Sequence, residues 1–215
     1  VFHWLLAVSL LLSWLTAELG YDWTEQHFLL GYCALGLILF RLAWGFCGTH
    51  HARFSQFLAA PRVTLTSLRQ VFSRQPSNAP GHTAIGGWSA VLMLLLVAVQ
   101  ATTGLFISDD IFYAGPYNGV ISGEWAGRLA QIHHINFTLL QVVVVVHILA
   151  ISWYGFGKRQ NLTATMVTGR KPWIEARAGI ASSQLWRALV LAILVGAAVT
   201  ALVQLAPPPP MDDYF

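Results

Sequence analysis

Residues 129–157 read LAQIHHINFTLLQVVVVVHILAISWYGFG, and this stretch decides the fold. It carries no Asp, Glu, Lys or Arg, and as one helix it is long enough to cross a bilayer. His133 lies near its start and His147 near its end. A histidine within a membrane span is costly unless something engages it. Fourteen residues separate the two. At ~3.6 residues per turn that is ~3.9 turns, so both imidazoles point to nearly the same side, ~21 Å apart along the axis. One is then expected near each membrane face. His134, thirteen residues before His147, points ~140° away and falls off this stripe.

The rest of the chain has the same character. Of 215 residues, 56% are hydrophobic and 10% charged, and the mean hydropathy is +0.59. That composition excludes an ordinary soluble domain and predicts an all-α integral membrane helical bundle. Apolar spans are expected at about 2–19, 27–44, 85–107, 129–157 and 185–205, the last stopped by the prolines at 207–210. Between the second and third, VTLTSLRQVF at 63–72 reads as a short amphipathic helix lying on the membrane surface. The chain opens on Val1-Phe2-His3-Trp4 rather than Met, so a short preceding segment is expected. The first span is too long and Trp-rich for the apolar core of a signal peptide. No internal repeat is evident. Asn161-Leu162-Thr163 has the form of a glycosylation acceptor, without meaning on a cytoplasmic loop.

Charge orients the bundle. Arg53, Arg62, Arg69, Arg74, Lys158, Arg159, Arg170, Lys171, Arg177 and Arg187 follow the second and fourth spans, with Arg41 just inside the second; only Arg128 lies on the other side. Glu18, Asp22, Glu25, Asp109, Asp110, Glu124, Asp212 and Asp213 take that other side, and Glu175 alone joins the basic loops. The positive-inside rule places the basic loops in the cytoplasm, with the N-terminus inside and the C-terminus in the periplasm. The pI near 9.1 therefore reflects topology, and no nucleic-acid partner is expected.

With topology set, each histidine has a depth. His3 opens the first span at the inner face, and His27 the second at the outer face. His133 is outer and His147 inner. The depths pair His3 with His147 and His27 with His133. Each pair suits a six-coordinate, bis-imidazole haem, built for electron transfer rather than for substrate binding at iron. The alternative for each is an ordinary interfacial histidine. His82, at the inner mouth of the third span, could ligate the inner haem, bond a propionate, help hold a quinone, or be simply interfacial. His50 and His51 are expected in solvent. Gly31, one turn after His27, would let a flat macrocycle approach the backbone. Arg41, fourteen residues after His27, shares its face at the inner level and is either a propionate partner or an ordinary positive-inside arginine. Most of Trp4, Trp14, Trp23, Trp44, Trp88 and Trp125 fall near span ends, as in an aromatic belt. Cys33 and Cys47 make neither a disulfide framework nor a zinc site, and no C-x-x-C-H occurs, so the two haems would be non-covalent haem b.

These residues form a pattern: FHW at 2–4, His27-x-x-x-Gly31-Tyr32, FRLAWG at 40–45, HARF at 51–54, GHTAIGGW at 81–88, GLFISDD at 104–110, and Ile132-His133-His134 with His147 beyond. On them, residues 1–171 resemble the bacterial cytochrome b561 family, and within it the membrane cytochrome b subunits associated with nickel-iron hydrogenases. The resemblance implies ligands on spans one, two and four, at His3, His27, His133 and His147, in agreement with the pairing by depth. It implies a four-helix di-haem core at 1–171; beyond it the chain itself is expected to form a connecting segment and fifth transmembrane helix at 172–206 and a Pro-rich acidic periplasmic tail at 207–215. It also implies electron transfer between a quinone or quinol and a partner, as a subunit of an oxidoreductase complex rather than a complete enzyme. That partner would be a periplasmic hydrogenase-like subunit or a basic c-type cytochrome, docked on Asp109, Asp110, Glu124, Asp212 and Asp213. Competing functions are a stand-alone oxidoreductase passing electrons from superoxide to quinone, and, with less support, a transporter or structural anchor. The spans carry almost no charge for transport.

Overall fold

Why these residues form helices is plain from their composition: long apolar runs in a bilayer must satisfy every backbone polar group internally. The computed structural model describes residues 1–77, 79, 81–108, 113–172 and 182–207. The helices are α1 (Phe2–Glu18), α2 (Thr24–Cys47), the single turn α3 (Phe54–Phe57), α4 (Pro61–Phe72), α5 (Ala84–Gly104), α6 (Gly123–Phe156), α7 (Leu162–Thr168) and α8 (Leu185–Gln204). No strand occurs among the described residues; the one β-bridge joins Ser108 to Ala114. Four helical stretches, 21–47, 84–104, 123–156 and 185–204, are long and apolar enough to cross a membrane. α1 is a shorter apolar helix of 17 residues, ~26 Å at 1.5 Å per residue, somewhat under the ~30 Å hydrocarbon core.

A helix stands at each of the five expected positions, four of them of membrane-spanning length and α1 shorter, with boundaries shifted for local reasons. α6 starts six residues before Leu129 because its first turns carry their own support. Glu124 pairs with Arg128 at 2.6 Å, and the Arg128 guanidinium lies 4.9 Å from the Trp125 ring centre. α5 stops at Gly104, short of Ile107, because the following loop folds back on it. The Gly115 N–H donates to Ile107 O at 2.7 Å and the Tyr117 N–H to Leu105 O at 2.9 Å. A Cβ on Gly115 would lie 2.5 Å from Leu105 O, so this close approach admits only glycine. The amphipathic helix foreseen at 63–72 is α4, with Pro61 at its first turn. Asn161 is the N-cap of α7: its side chain accepts the Ala164 N–H at 2.9 Å.

Contacts group the chain into two units, one of residues 1–41, 95–140 and 189–215, the other of 42–94 and 141–188. The first contains eight of the nine acids and only Arg41 and Arg128 among the bases; the second contains the other ten bases and only Glu175. In the first unit Leu35, Leu105 and Val199 form a buried cluster, with Tyr32, Ala101, Phe106, Tyr117 and Val195 packed on it. The Tyr117 hydroxyl donates to Leu202 O at 2.8 Å, tying the loop to α8. In the second, indole N–H groups hold the surface segments: Trp88 donates to Ala59 O at 3.0 Å and Trp153 to Val71 O at 2.9 Å. Large apolar side chains along α6 and α8, such as Val145, Leu149, Ile193 and Leu194, remain exposed, as a lipid-facing surface requires.

Inside this apolar setting Asn136 is buried. Its amide donates to Gln100 Oε1 at 2.7 Å and to Leu96 O at 2.9 Å, joining α6 to α5. Asn136→Leu removes both bonds and leaves the Gln100 carbonyl group in an apolar environment. The expected loss is about 1 kcal/mol of stability, read by chemical or thermal unfolding in detergent micelles; unchanged or raised stability would mean the pair does not hold the helices.

Candidate functional site

The exposure pattern of α6 identifies its interior face. His133, Asn136, Phe137, Leu140, Val143, Val144 and His147 are buried or half-buried, while Ile132, His134, Ile135, Thr138, Leu139, Val142, Val145 and Val146 are exposed. The two histidines on the stripe lie on the covered face, and His134 lies off it, as their spacing predicts.

Two of the predicted ligands meet in the first unit, and each has its second nitrogen engaged. His27 Nδ1 lies 2.8 Å from Ser13 O. A carbonyl only accepts, so Nδ1 carries the proton and donates, leaving the Nε2 lone pair free. His133 Nδ1 lies 3.0 Å from Thr103 Oγ1. That hydroxyl donates to backbone carbonyls, Val99 O at 2.7 Å or Gln100 O at 3.1 Å, so toward the imidazole it is an acceptor. His133 too then presents Nε2. His27 is close enough to His133 to act on it electrostatically. Gly104 makes room for the second ring: a Cβ there would lie 3.4 Å from His133 Cε1. Ser13, Thr103 and Gly104 are site residues that the sequence did not single out. Small polar residues and glycines in apolar helices are common at plain helix contacts, so nothing in the sequence separates them from packing.

The donor set fits a haem. A metalloporphyrin takes only two axial nitrogens from the protein, with each imidazole oriented through its other N–H. Among the described residues no group of three or more His, Cys, Asp or Glu could hold a bare metal ion. Gly31 is half-buried, yet a Cβ built on it meets nothing within 4 Å, consistent with space left beside His27 for a planar group.

The remaining predicted residues are placed separately. His3, half-buried on α1, has its ring edge-on to Trp4, with centres 5.2 Å apart. His147 is half-buried on the covered face of α6, and Arg41 is half-buried on α2. His82 is exposed, with its ring 4.8 Å from that of Phe57, an arrangement that suits an interfacial side chain. Glu124 is engaged by Arg128. Asp109, Asp110, Asp212 and Asp213 lie outside the described residues.

Thr103→Val removes the acceptor at His133 Nδ1. An imidazole that loses this bond becomes a weaker electron donor to iron. One haem midpoint potential should rise while any second potential stays in place, with haem loss accelerated by about tenfold. Redox titration and haem transfer to apomyoglobin measure both; an unmoved spectrum and potential would show that Thr103 does not act on a ligand.

The sequence profile of the family described as prokaryotic cytochrome b561 matches residues 1–169. A protein of Cupriavidus necator, "Probable Ni/Fe-hydrogenase B-type cytochrome subunit", is 26% identical over 160 residues, covering 66% of this chain and 64% of its own length. One of the same name from Azotobacter chroococcum mcd 1 is 26% identical over 167 residues, covering 66% of this chain and 65% of its own. The matched region is thus slightly under two thirds of these relatives. No solved structure matches. A profile match across the whole region that carries the histidines, on helices of membrane-spanning character, makes this multi-pass bacterial membrane protein a member of the prokaryotic cytochrome b561 family.

Proposed function

We propose that the chain is a di-haem b-type cytochrome that passes electrons across the cytoplasmic membrane, between a quinone pool and a periplasmic redox partner. The observation that carries this is the pair His27 and His133, each anchored through Nδ1 and presenting Nε2 in the same unit. These two hold one haem. His3 and His147 hold the other, on the sequence argument of matched depth alone. When bound, haem supplies one-electron chemistry at an iron closed to further ligands. The protein's part is to fix both ligand tautomers, to exclude water with the apolar faces of α2, α5 and α6, and to set the potentials through Ser13 and Thr103. Arg41 and Gly31 are assigned to a propionate and to the macrocycle edge, and His82 to the inner interface.

In this reading the basic loops face the cytoplasm and the acidic ones the periplasm, supported by the charge distribution. His3 and His147 would then hold a haem able to exchange electrons on the quinone side, and His27 and His133 one able to do so on the partner's side. The relatives' names point to a hydrogenase. An acidic outer surface also suits a basic c-type cytochrome.

Two measurements test this. A haem assay with a redox-titrated visible spectrum should give two low-spin haems per chain with separable potentials. His27→Ala or His133→Ala should each remove one haem and leave the other. One haem in the wild type would overturn the second pair, and none would overturn the whole assignment. The second measurement concerns docking. Asp109→Lys combined with Asp110→Lys should slow electron exchange with a basic c-type cytochrome by about tenfold at low ionic strength, with the difference fading as salt screens it. An unchanged rate at low salt would remove these residues from the docking surface.

A further inference from the structure

We propose that the cavity at the C-terminal end of α6 is a binding site for the phosphate of an anionic glycerophospholipid. The cavity, of about 720 Å³, is lined by Arg74, Pro76, Trp153, Phe156 and the run Gly157 to Gln160. That volume is in the range of small-ligand sites, and all of its lining belongs to the second unit.

Its walls are built. The Gln160 side chain is buried and forms a two-bond clamp with Ser77, accepting the Ser77 N–H at 2.9 Å and donating to Ser77 O at 2.9 Å. The Lys158 ammonium donates to Gln70 O at 2.7 Å and lies 4.7 Å from the Tyr154 ring centre. With the Trp153 bond to Val71 O, three side chains at the end of α6 grip residues 70–77. This grip sets Arg74 on the same cavity as Arg159.

The chemistry of the lining is that of a site for an anion. Arg74 and Arg159 are exposed, and neither has a hydrogen-bond or ion-pair partner among the described residues. Residues 42–94 contain no Asp or Glu, so that segment offers no carboxylate to neutralise them. Arg159 is not needed to close the helix: Trp153 O accepts the Gly157 N–H at 2.7 Å, and Tyr154 O accepts the Gln160 N–H at 2.9 Å. Yet Arg159 occupies a left-handed backbone position, φ 54°, where Gly or Asn would be less strained. Arg159 nevertheless lines the cavity together with Arg74. Burial holds the Lys158 ammonium below the ordinary lysine range, a shift that a nearby anion would oppose. Trp153, Pro76 and Phe156, the last 90% exposed, add apolar surface beside the cations. A phosphate diester carrying acyl chains satisfies both halves of this lining. An inorganic phosphate would satisfy only the basic half.

The test uses the holoprotein in detergent, offered phosphatidylglycerol and phosphatidylethanolamine with identical acyl chains, with retained lipid counted by native mass spectrometry. Wild type should retain phosphatidylglycerol about tenfold better. Arg74→Gln with Arg159→Gln should erase that preference, and the haem absorbance should not change. Arg62→Gln with Arg69→Gln, on the exposed face of α4, should keep it, separating a site from diffuse basic charge. A parallel arm adds millimolar inorganic phosphate and reads thermal stability. Protection of wild type, but not of Arg74→Gln with Arg159→Gln, and no lipid preference would keep the phosphate site and make its source a free anion. Equal retention of the two lipids without such protection would overturn the proposal, as would a preference that survives loss of both arginines. Haem loss in the Arg74/Arg159 double variant would also overturn it, reassigning the pair to a haem carboxylate.

Discussion

An imidazole inside an apolar helix bundle has two nitrogens, and both must be given something to do. In water the second nitrogen is of no account, because solvent supplies a partner. Between lipid-facing helices it does not, and a ring with one idle nitrogen is both costly and free to rotate. His27 and His133 meet this constraint in different ways, through the Ser13 carbonyl and the Thr103 hydroxyl. Ser13 O, with two lone pairs, also accepts from Thr16 Oγ1, at 3.0 Å. Thr103 in turn is held by carbonyls of its own helix. Each of these two imidazoles therefore draws its orientation from a neighbouring helix, one from a backbone carbonyl and one from a hydroxyl, and is held only as exactly as the contacts of α1 with α2 and of α5 with α6.

The same economy of polar groups appears in the second unit, with different chemistry. There the long side chains of Trp88, Trp153, Lys158, Gln160 and Lys171 each reach backbone carbonyls of a connecting segment. Lys171 bonds Gly81 O at 2.8 Å and Ala79 O at 3.1 Å, and burial lowers its pKa. A segment broken by prolines cannot satisfy its own carbonyls through helix hydrogen bonds. Cations and indoles at the ends of the neighbouring helices do so instead. Lys158 and Lys171 thus serve topology and structure together.

Much of this was legible in the sequence because the signals were long or periodic. Five apolar runs gave five helices near the expected positions, and a fourteen-residue spacing placed His133 and His147 on the covered face of α6. The amphipathic α4 followed from one short stretch. What escaped was short or non-local. Ser13, Thr103 and Gly104 look like any small residue in a membrane helix. The Gln160–Ser77 clamp joins residues 83 apart, and no local pattern announces such a pair. The sequence assigns Asn161 no role beyond a meaningless acceptor pattern, whereas the structure uses it as a helix cap. The ends of α5 and α6 moved because a folded-back loop and an Arg128–Glu124 pair act where hydropathy has no information.

The fifth long helix is the part least explained by family likeness, since the profile match ends at residue 169. Its packing nevertheless gives it a place. Val199 lies in the buried cluster with Leu35 of α2 and Leu105 at the end of α5, and Val195 packs against the same group. A Cβ on Gly36 would lie 3.9 Å from Val199 Cγ2, an ordinary contact, so α8 meets α2 without a close backbone approach. Tyr117 donates to Leu202 O from the loop that follows α5, while the Asn118 amide in that loop donates to Phe106 O at 2.7 Å. Leu105 is two residues beyond Thr103, so the cluster that α8 completes borders the residue that orients His133. An element outside the matched region thereby supports the helix end on which the tautomer of His133 depends, and it does so through apolar contact and one phenol, with no charged side chain on α8 apart from Arg187.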